Sequence, residues 1–353
     1  MTNKVLMCGN DAMSEAAVRA GCRFYFGYPI TPQNEVAAYM ARRMPEVRGT
    51  FIQAESEIAA VNMVFGAATV GARAMTSSSS PGISLKQEGI SYLSGCELPA
   101  VIANVVRGGP GLGSIGPSQS DYFQATRGGG HGDYRTIALA PSTVQELVDL
   151  TYISFELADK YRNPVLILSD GLLGQMMEPV VLPDFADGDS SPKEWALTGA
   201  KNRPPNLIRS LYLDVDLLEK LNFKLQEKFR QMERQETRLE EVSTTDAQVM
   251  LVAYGSVARI CRSAVRRLRE AGVKAGLFRP ITVWPFPYEQ LSRAAEKAKV
   301  LLAVEMSMGQ MVDDVKLAVG KNKPVRFFGR VGGCVMSVDE VVREVRKLHE
   351  EAG

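Results

Sequence analysis

Three residues at the ends of apolar runs carry side chains with which chemistry could be done. Glu57 lies in "FIQAESEIAAVNMVFGAA", between an expected strand ending near Gln53 and a helix of small and apolar residues starting near Ser56. An acid there stands at the carboxyl edge of a sheet, where open α/β sheets bind ligands, and a catalytic carboxylate fits that position. The plainer account has Ser56 cap the helix while Glu57 favours its positive end. Arg107 closes "PAVIANVVR" and opens a glycine-rich loop. A guanidinium fork beside flexible backbone can grip a carboxylate, although a surface ion pair would employ the same residue. Thr31 belongs to "GYPITPQNE", where Pro29 and Pro32 fix φ and bias their predecessors toward extended backbone. The corner from Tyr28 through Pro29 and Ile30 to Pro32 can hold the Thr31 hydroxyl still before a ligand. It can equally be a strand-to-helix connection with Pro32 near the first helical turn. Each of the three residues follows an expected strand, so parallel neighbouring strands would gather them at one edge.

The elements that must do this positioning follow from alternation. Between residue 5 and about 182, short apolar runs predict strands at Phe24–Tyr28, Thr50–Gln53, Ala74–Ser77, Pro99–Val105, Thr136–Ala140 and Val165–Leu168. Helical spacing falls between them at Asn34–Arg43, Ile58–Gly71, Ser84–Leu93 and Val144–Lys160. That rhythm predicts a parallel sheet covered on both faces. Residues 183–245 break it. A stretch rich in turn formers precedes a segment that puts Leu218, Leu221, Leu225, Phe229 and Met232 on one helical face. It reads as a connection ending in a long amphipathic helix, which packs on the chain's own domains or a partner subunit, or pairs as a coiled coil. From 246 to 353 a second α/β unit is expected, with "VMLVAYG", "VKAGLFRP" and "VLLAVE" as strands and "ARICRSAVRRLREAG" and "DEVVREVRKLHEEAG" as helices. The expected organisation is therefore two α/β domains, 1–182 and 246–353, joined by 183–245, without an internal repeat.

Composition narrows the classes of function. Forty-one basic and forty acidic residues leave a formal charge of +1, so no global field attracts nucleic acid or an anionic membrane. No eighteen-residue apolar run predicts a membrane span, and the apolar run at the N-terminus is too short for a signal-peptide core. Five scattered cysteines without a C-x-x-C pair suggest a reducing, cytoplasmic setting and lack the spacing of zinc or iron–sulfur ligands. Electrons passing through such a system would be carried by another polypeptide. Of the two histidines, His349 reads as solvated, whereas His131 in "RGGGHGDYR" has glycines that let backbone and ring approach a ligand. Two such distant histidines argue against a histidine-bound metal. "GLGSIG" formally matches a dinucleotide fingerprint, but Arg107-Gly-Gly-Pro separates it from the strand and Pro117 follows it. No Walker phosphate loop is present, and "TSSSSPG" lacks a G-x-S-x-G elbow.

Together, "GYPITPQNE", "AESEIAAVNMVFGAA", "TSSSSPGISLKQEGISY", "VVRGGPGLG", "RGGGHGDYR" and "VEMSMGQM" resemble the alpha subunits of thiamine-diphosphate-dependent 2-oxoacid:ferredoxin oxidoreductases. The resemblance covers essentially the whole chain and is strongest to the branched-chain type, which acts on ketoisovalerate. It implies a pyrimidine-binding thiamine diphosphate domain followed by a transketolase C-terminal-like domain. It also implies that a beta subunit carries the diphosphate half of the site with Mg²⁺ and the proximal iron–sulfur cluster, beside gamma and ferredoxin-like delta subunits. Coenzyme A is the implied co-substrate and ferredoxin the acceptor. By position, Glu57 matches the glutamate that pairs with N1′ of the aminopyrimidine, which lets the cofactor's own 4′ nitrogen remove the C2 proton. Arg107 matches the arginine for the substrate carboxylate, and Thr31 the threonine facing the 2-oxoacid, with Tyr28, Pro29 and Ile30 beside the cofactor. His131 falls in a loop that the family places near the site. Rival readings are a 2-oxoglutarate, indolepyruvate or arylglyoxylate enzyme and a non-catalytic assembly subunit of the same fold.

Overall fold

The computed structural model describes residues 4–186 and 193–352. Strand β1 (Lys4–Cys8) leads into helix α1 (Gly9–Arg19). The alternation then runs β2 (Phe24–Gly27), α2 (Asn34–Glu46), β3 (Thr50–Gln53), α3 (Glu57–Thr69), β4 (Ala74–Ser78), α4 (Pro81–Gly95) and β5 (Ala100–Val106). Beyond a long loop holding α5 (Tyr122–Thr126) come β6 (Ile137–Leu139), α6 (Val144–Tyr161), β7 (Pro164–Asp170), α7 (Gly171–Gln175) and β8 (Met177–Val181). Helix α8 (Val215–Gln235) precedes β9 (Leu239–Val242), β10 (Val249–Val252), α9 (Gly255–Glu270), β11 (Ala275–Pro280) and β12 (Thr282–Trp284). The chain closes with α10 (Tyr288–Ala294), β13 (Val300–Glu305), α11 (Met311–Val319), β14 (Val325–Gly329) and α12 (Val338–Ala352).

Seven strands form the larger sheet in the order β12-β6-β7-β5-β4-β2-β3. Its centre is parallel, and every residue of β5 is buried, as befits a strand covered on both faces. The expected wholly parallel sheet needs one correction. Thr282–Trp284, from the second half of the chain, pairs antiparallel with β6 and closes one edge. The N-terminal run also joins a ladder that the alternation did not predict, with β1 antiparallel to β8.

Five strands form the second sheet in the order β14-β13-β10-β11-β9, parallel except for β9 against β11. Its strands alternate between two cores, because side chains on a strand point to opposite faces in turn. Val249, Leu251, Val300, Leu302 and Val304 pack with Val341, Val345 and Leu348 of α12. Met250, Val252, Leu301 and Ala303 belong instead to the core shared with the larger sheet. The two sheets are thus welded by apolar packing and by a buried charge. Arg279 is fully buried and donates to Glu146 Oε1 of α6 at 2.8 Å and to Glu240 Oε2 of β9 at 3.0 Å.

Helix α8 buries Leu225, Phe229 and Met232, while Leu218 stays exposed at its N-terminal end. Asp214 caps it by accepting from the backbone of Asp216 and Leu217. The helical stretch expected here ends at Gln235, and the following Leu239–Val242 is a strand.

Candidate active site at the carboxyl edge of the larger sheet

Strands β5, β4, β2 and β3 are consecutive and parallel, so the loops leaving their carboxyl ends lie side by side. At those ends stand Arg107, Ser78 to Ser80, Thr31 and, as the first residue of α3, Glu57. Arg107 is buried, and its Nη1 donates to the Thr31 carbonyl at 3.0 Å while Nη2 donates to the Leu112 carbonyl at 3.1 Å. The ion-pair alternative fails, since no described acidic side chain lies within salt-bridge range of it, and its Nε is buried without a partner. A buried guanidinium held only by carbonyls is left without a neighbouring negative charge.

The backbone around Arg107 is clamped by Ser80, whose hydroxyl accepts from Arg107 N at 3.1 Å and donates to Arg107 O at 3.2 Å. Ser80 adopts φ +21°, ψ −79°, a conformation L residues rarely take, and its N–H donates to Asn104 Oδ1 at 3.1 Å. Asn104 in turn donates to Asp121 Oδ2 at 2.9 Å, and burial pushes the Asp121 carboxyl up. Strain of this kind persists where surrounding contacts over-determine it, as here between β4 and β5.

Glu57 begins α3 and is only 6% exposed. Ser56 caps that helix by accepting from Ala59 N at 3.1 Å, so the cap predicted from sequence is present. Yet the Glu57 carboxylate accepts no hydrogen bond from a described residue and packs against the first turn of α4. A Cβ at Gly82 would stand 2.0 Å from Ser78 Oγ and 2.6 Å from Glu57 Oε1. Gly82→Ala is therefore expected to push both side chains aside and cost about 1–3 kcal/mol. Thermal unfolding of the two forms checks this, and an unchanged midpoint would refute the close approach.

Buried polar atoms without partners mark the same edge. Gln33 is fully buried; its Oε1 accepts from Ser77 Oγ at 2.5 Å, but its Nε2 has no partner, and neither have Ser78 Oγ and Ser79 Oγ. Native interiors satisfy nearly all such groups, so a cluster of orphans at a ligand-binding edge fits a bound polar molecule. These residues escaped the sequence reading. Their only signals were the run of serines before Pro-Gly and the place of Gln33 within "GYPITPQNE".

Thr31 is exposed, in a corner where the Thr31–Pro32 peptide is cis. Tyr28 and Pro29 are exposed and Ile30 half-buried beside it. His131 stands elsewhere. It is exposed, its ring lies edge-on to Tyr92 with centroids 5.9 Å apart, and its carbonyl accepts from Ser91 Oγ at 2.7 Å. Tyr92 is about 15 Å along α4 from the turn that meets Glu57, so this chain does not bring His131 to the other three. The dinucleotide alternative is excluded by the loop itself. Gly108 N donates to Gly116 O at 3.0 Å and Ser114 N to Gly108 O at 2.8 Å, which folds "GLGSIG" back on itself with no helix directly after it. Gly113, at φ +57°, would drive a Cβ to 1.8 Å from Gly108 O. Among the described residues, no three His, Cys, Asp or Glu side chains gather as metal ligands, and no helix is long and apolar enough to cross a membrane.

Known proteins with the same architecture sharpen this picture. Residues 15–248 match the family model described as "Pyruvate flavodoxin/ferredoxin oxidoreductase, thiamine diP-bdg", and residues 247–341 match "Pyruvate:ferredoxin oxidoreductase core domain II". A ketoisovalerate oxidoreductase subunit VorB of Methanothermobacter marburgensis is 51% identical, over 98% of this chain and 97% of its own length. A 2-oxoglutarate synthase subunit KorA of Methanothermobacter thermautotrophicus is 37% identical, over 99% of this chain and 100% of its own. Among solved structures, the 2-oxoglutarate:ferredoxin oxidoreductase from Magnetococcus marinus, with 2-oxoglutarate, coenzyme A and succinyl-CoA bound, superposes with a TM-score of 0.85 at 28% identity. The match covers 99% of this chain and 66% of that longer one.

Proposed function

Because this chain belongs to the pyruvate flavodoxin/ferredoxin oxidoreductase family, with its thiamine diphosphate-binding domain, we propose that it is a catalytic subunit of a 2-oxoacid:ferredoxin oxidoreductase acting on branched-chain 2-oxoacids. The overall change is 2-oxoacid plus coenzyme A plus two oxidised ferredoxins to acyl-CoA, CO₂, a proton and two reduced ferredoxins. The observation that carries the reading is a buried, carboxylate-free Arg107 tethered to Thr31 at the same sheet edge as a buried, unbonded Glu57. A purely structural assembly subunit would have no use for a buried guanidinium without a carboxylate beside a buried carboxylate without a hydrogen bond.

The residues present fit the pyrimidine half of the cofactor. Glu57 offers a carboxylate to a ring nitrogen, and Gln33 Nε2, Ser78 Oγ and Ser79 Oγ offer unpaired donors and acceptors nearby in the fold. Thiamine diphosphate, when bound, supplies the carbon nucleophile for the 2-oxo group and a sink for the electrons left by CO₂. Glu57 holds or releases the proton at the ring nitrogen. Arg107 binds the substrate carboxylate through its fork, and its tethers to the Thr31 and Leu112 carbonyls fix that fork in place. The Thr31 corner orients the substrate, where errors of an ångström are costly. The diphosphate and Mg²⁺ are held by a beta subunit, and gamma and ferredoxin-like delta subunits complete the assembly, with partner iron–sulfur clusters carrying the electrons to ferredoxin.

Substrate class rests on likeness to the ketoisovalerate subunit, 51% against 37% for the 2-oxoglutarate subunit. In the complex co-purified with its partner subunits, kcat/KM is expected to be greatest for 2-oxoisovalerate and its homologues. An apolar pocket discriminates by only about 1–3 kcal/mol per methylene, so neighbouring 2-oxoacids overlap. A clear preference for 2-oxoglutarate, or for indolepyruvate or arylglyoxylate, would overturn the branched-chain assignment.

A further inference from the structure

Lys86 lies in the middle of α4 and is fully buried. Its Nζ donates to Thr76 Oγ1 of β4 at 3.0 Å and lies 3.5 Å from the carbonyl oxygen of Glu57. No described carboxylate is within ion-pair distance of it. The packing that delivers it is specific. Gly82 and Gly89 flank Lys86 on α4, and a Cβ at either would strike α3, at Glu57 and at Val61 respectively. Two glycines therefore let α4 press against α3, with the ammonium set between them at the turn where Glu57 begins its helix. That location is costly. The ammonium is shut off from water with only two neutral oxygens as partners, and a methionine of similar length would fill the space without a charge.

We propose that Lys86 is a positioning residue for Glu57, a buried positive charge beside the turn that carries it, which favours passage of the Glu57 proton to the bound ring nitrogen. The inference rests on the function proposed above. Burial pulls the Lys86 ammonium down to about 8, and Glu57 is the charged group that acts against this. Attraction between opposite charges is mutual, so the ammonium acts on the Glu57 carboxylate as well. The proton balance is simple. The O–H bond of a neutral Glu57 breaks, an N–H bond forms on the ring, and the negative charge left on oxygen is the one that Lys86 stabilises.

The test uses the assembled complex loaded with thiamine diphosphate and reads exchange of the cofactor C2 proton, cofactor affinity and thermal midpoint. Lys86→Met is expected to slow C2 exchange roughly tenfold or more, one unit of proton affinity being a factor of ten, with affinity changed less than about threefold. In the Glu57→Gln background the same substitution should add no further loss, because its target is gone; a merely structural role would subtract equally in both backgrounds. Should Lys86→Met fail to assemble, Thr76→Val, which removes the hydroxyl that seats the ammonium, is expected to slow exchange by about two- to fivefold while preserving shape. Native exchange in an assembled Lys86→Met complex, or an equal loss in the Glu57→Gln background, overturns the inference and leaves the function standing. Absence of thiamine-dependent exchange in the native complex would instead remove the function and the inference with it.

Discussion

Glu57→Gln in the assembled complex is expected to lower C2-proton exchange and turnover together by about two to four orders of magnitude, the usual weight of a placed acid–base group. Glutamine keeps nearly the same volume and can still reach a ring nitrogen, so packing against Gly82 and Ser78 survives. What it cannot do is give up or accept the proton. The thermal midpoint should accordingly stay within a few degrees of native, and no native hydrogen bond of the carboxylate is lost. Comparison of exchange, turnover and melting in one preparation separates the proton role from a helix-start role. Native exchange with a lowered midpoint would return Glu57 to the plain account of a first-turn acid favouring the helix dipole.

Arg107→Lys and Arg107→Met should both depress kcat/KM, by about 10²–10³-fold, and for every 2-oxoacid alike. In the proposed function the side chain binds the carboxylate those substrates share, and breaking a desolvated charge pair costs about 2–5 kcal/mol. Lysine keeps the charge but not the fork, nor the paired tethers to the Thr31 and Leu112 carbonyls at 3.0 and 3.1 Å. C2 exchange without substrate should remain close to native, because the proposed function assigns Arg107 to the substrate and Glu57 to the cofactor. Steady-state kinetics over a panel of 2-oxoacids, beside substrate-free exchange, checks both halves. A loss confined to one substrate would make Arg107 a selector of side chains, and native kinetics in Arg107→Met would remove it from the site.

Much of the frame was legible because it is written in local patterns. The expected strand at Thr50–Gln53 is the observed one, and the other five of the first unit end within two residues of their expected bounds. Apolar runs bounded by turn formers commit a short segment to a strand whatever lies around it. Ser56 as a cap, the prolines around Thr31 and the position of Arg107 after β5 were readable for the same reason. So was the sheet edge at which Thr31, Glu57 and Arg107 gather, once successive strands were taken as parallel neighbours.

What sequence spacing left open is whatever depends on chain segments far apart. Pairing of Thr282–Trp284 with β6, and of β1 with β8, joins residues more than a hundred positions apart, and no local periodicity encodes that choice of partner. The edge-on contact of His131 with Tyr92 is of the same kind, since the glycines around His131 do not announce which ring it meets. The sequence alone determined the α/β class, the family and the three residues at the strand ends, because hydrophobic periodicity and motif order are properties of the chain itself. Only the tertiary structure decided that Arg107 has no carboxylate, that Gln33, Ser78 and Ser79 hold unpaired polar atoms, and that Lys86 is sealed beside Glu57. Burial and the absence of a partner arise when helices and strands close on one another, and a charge acquires its chemical character from the water that this closure removes.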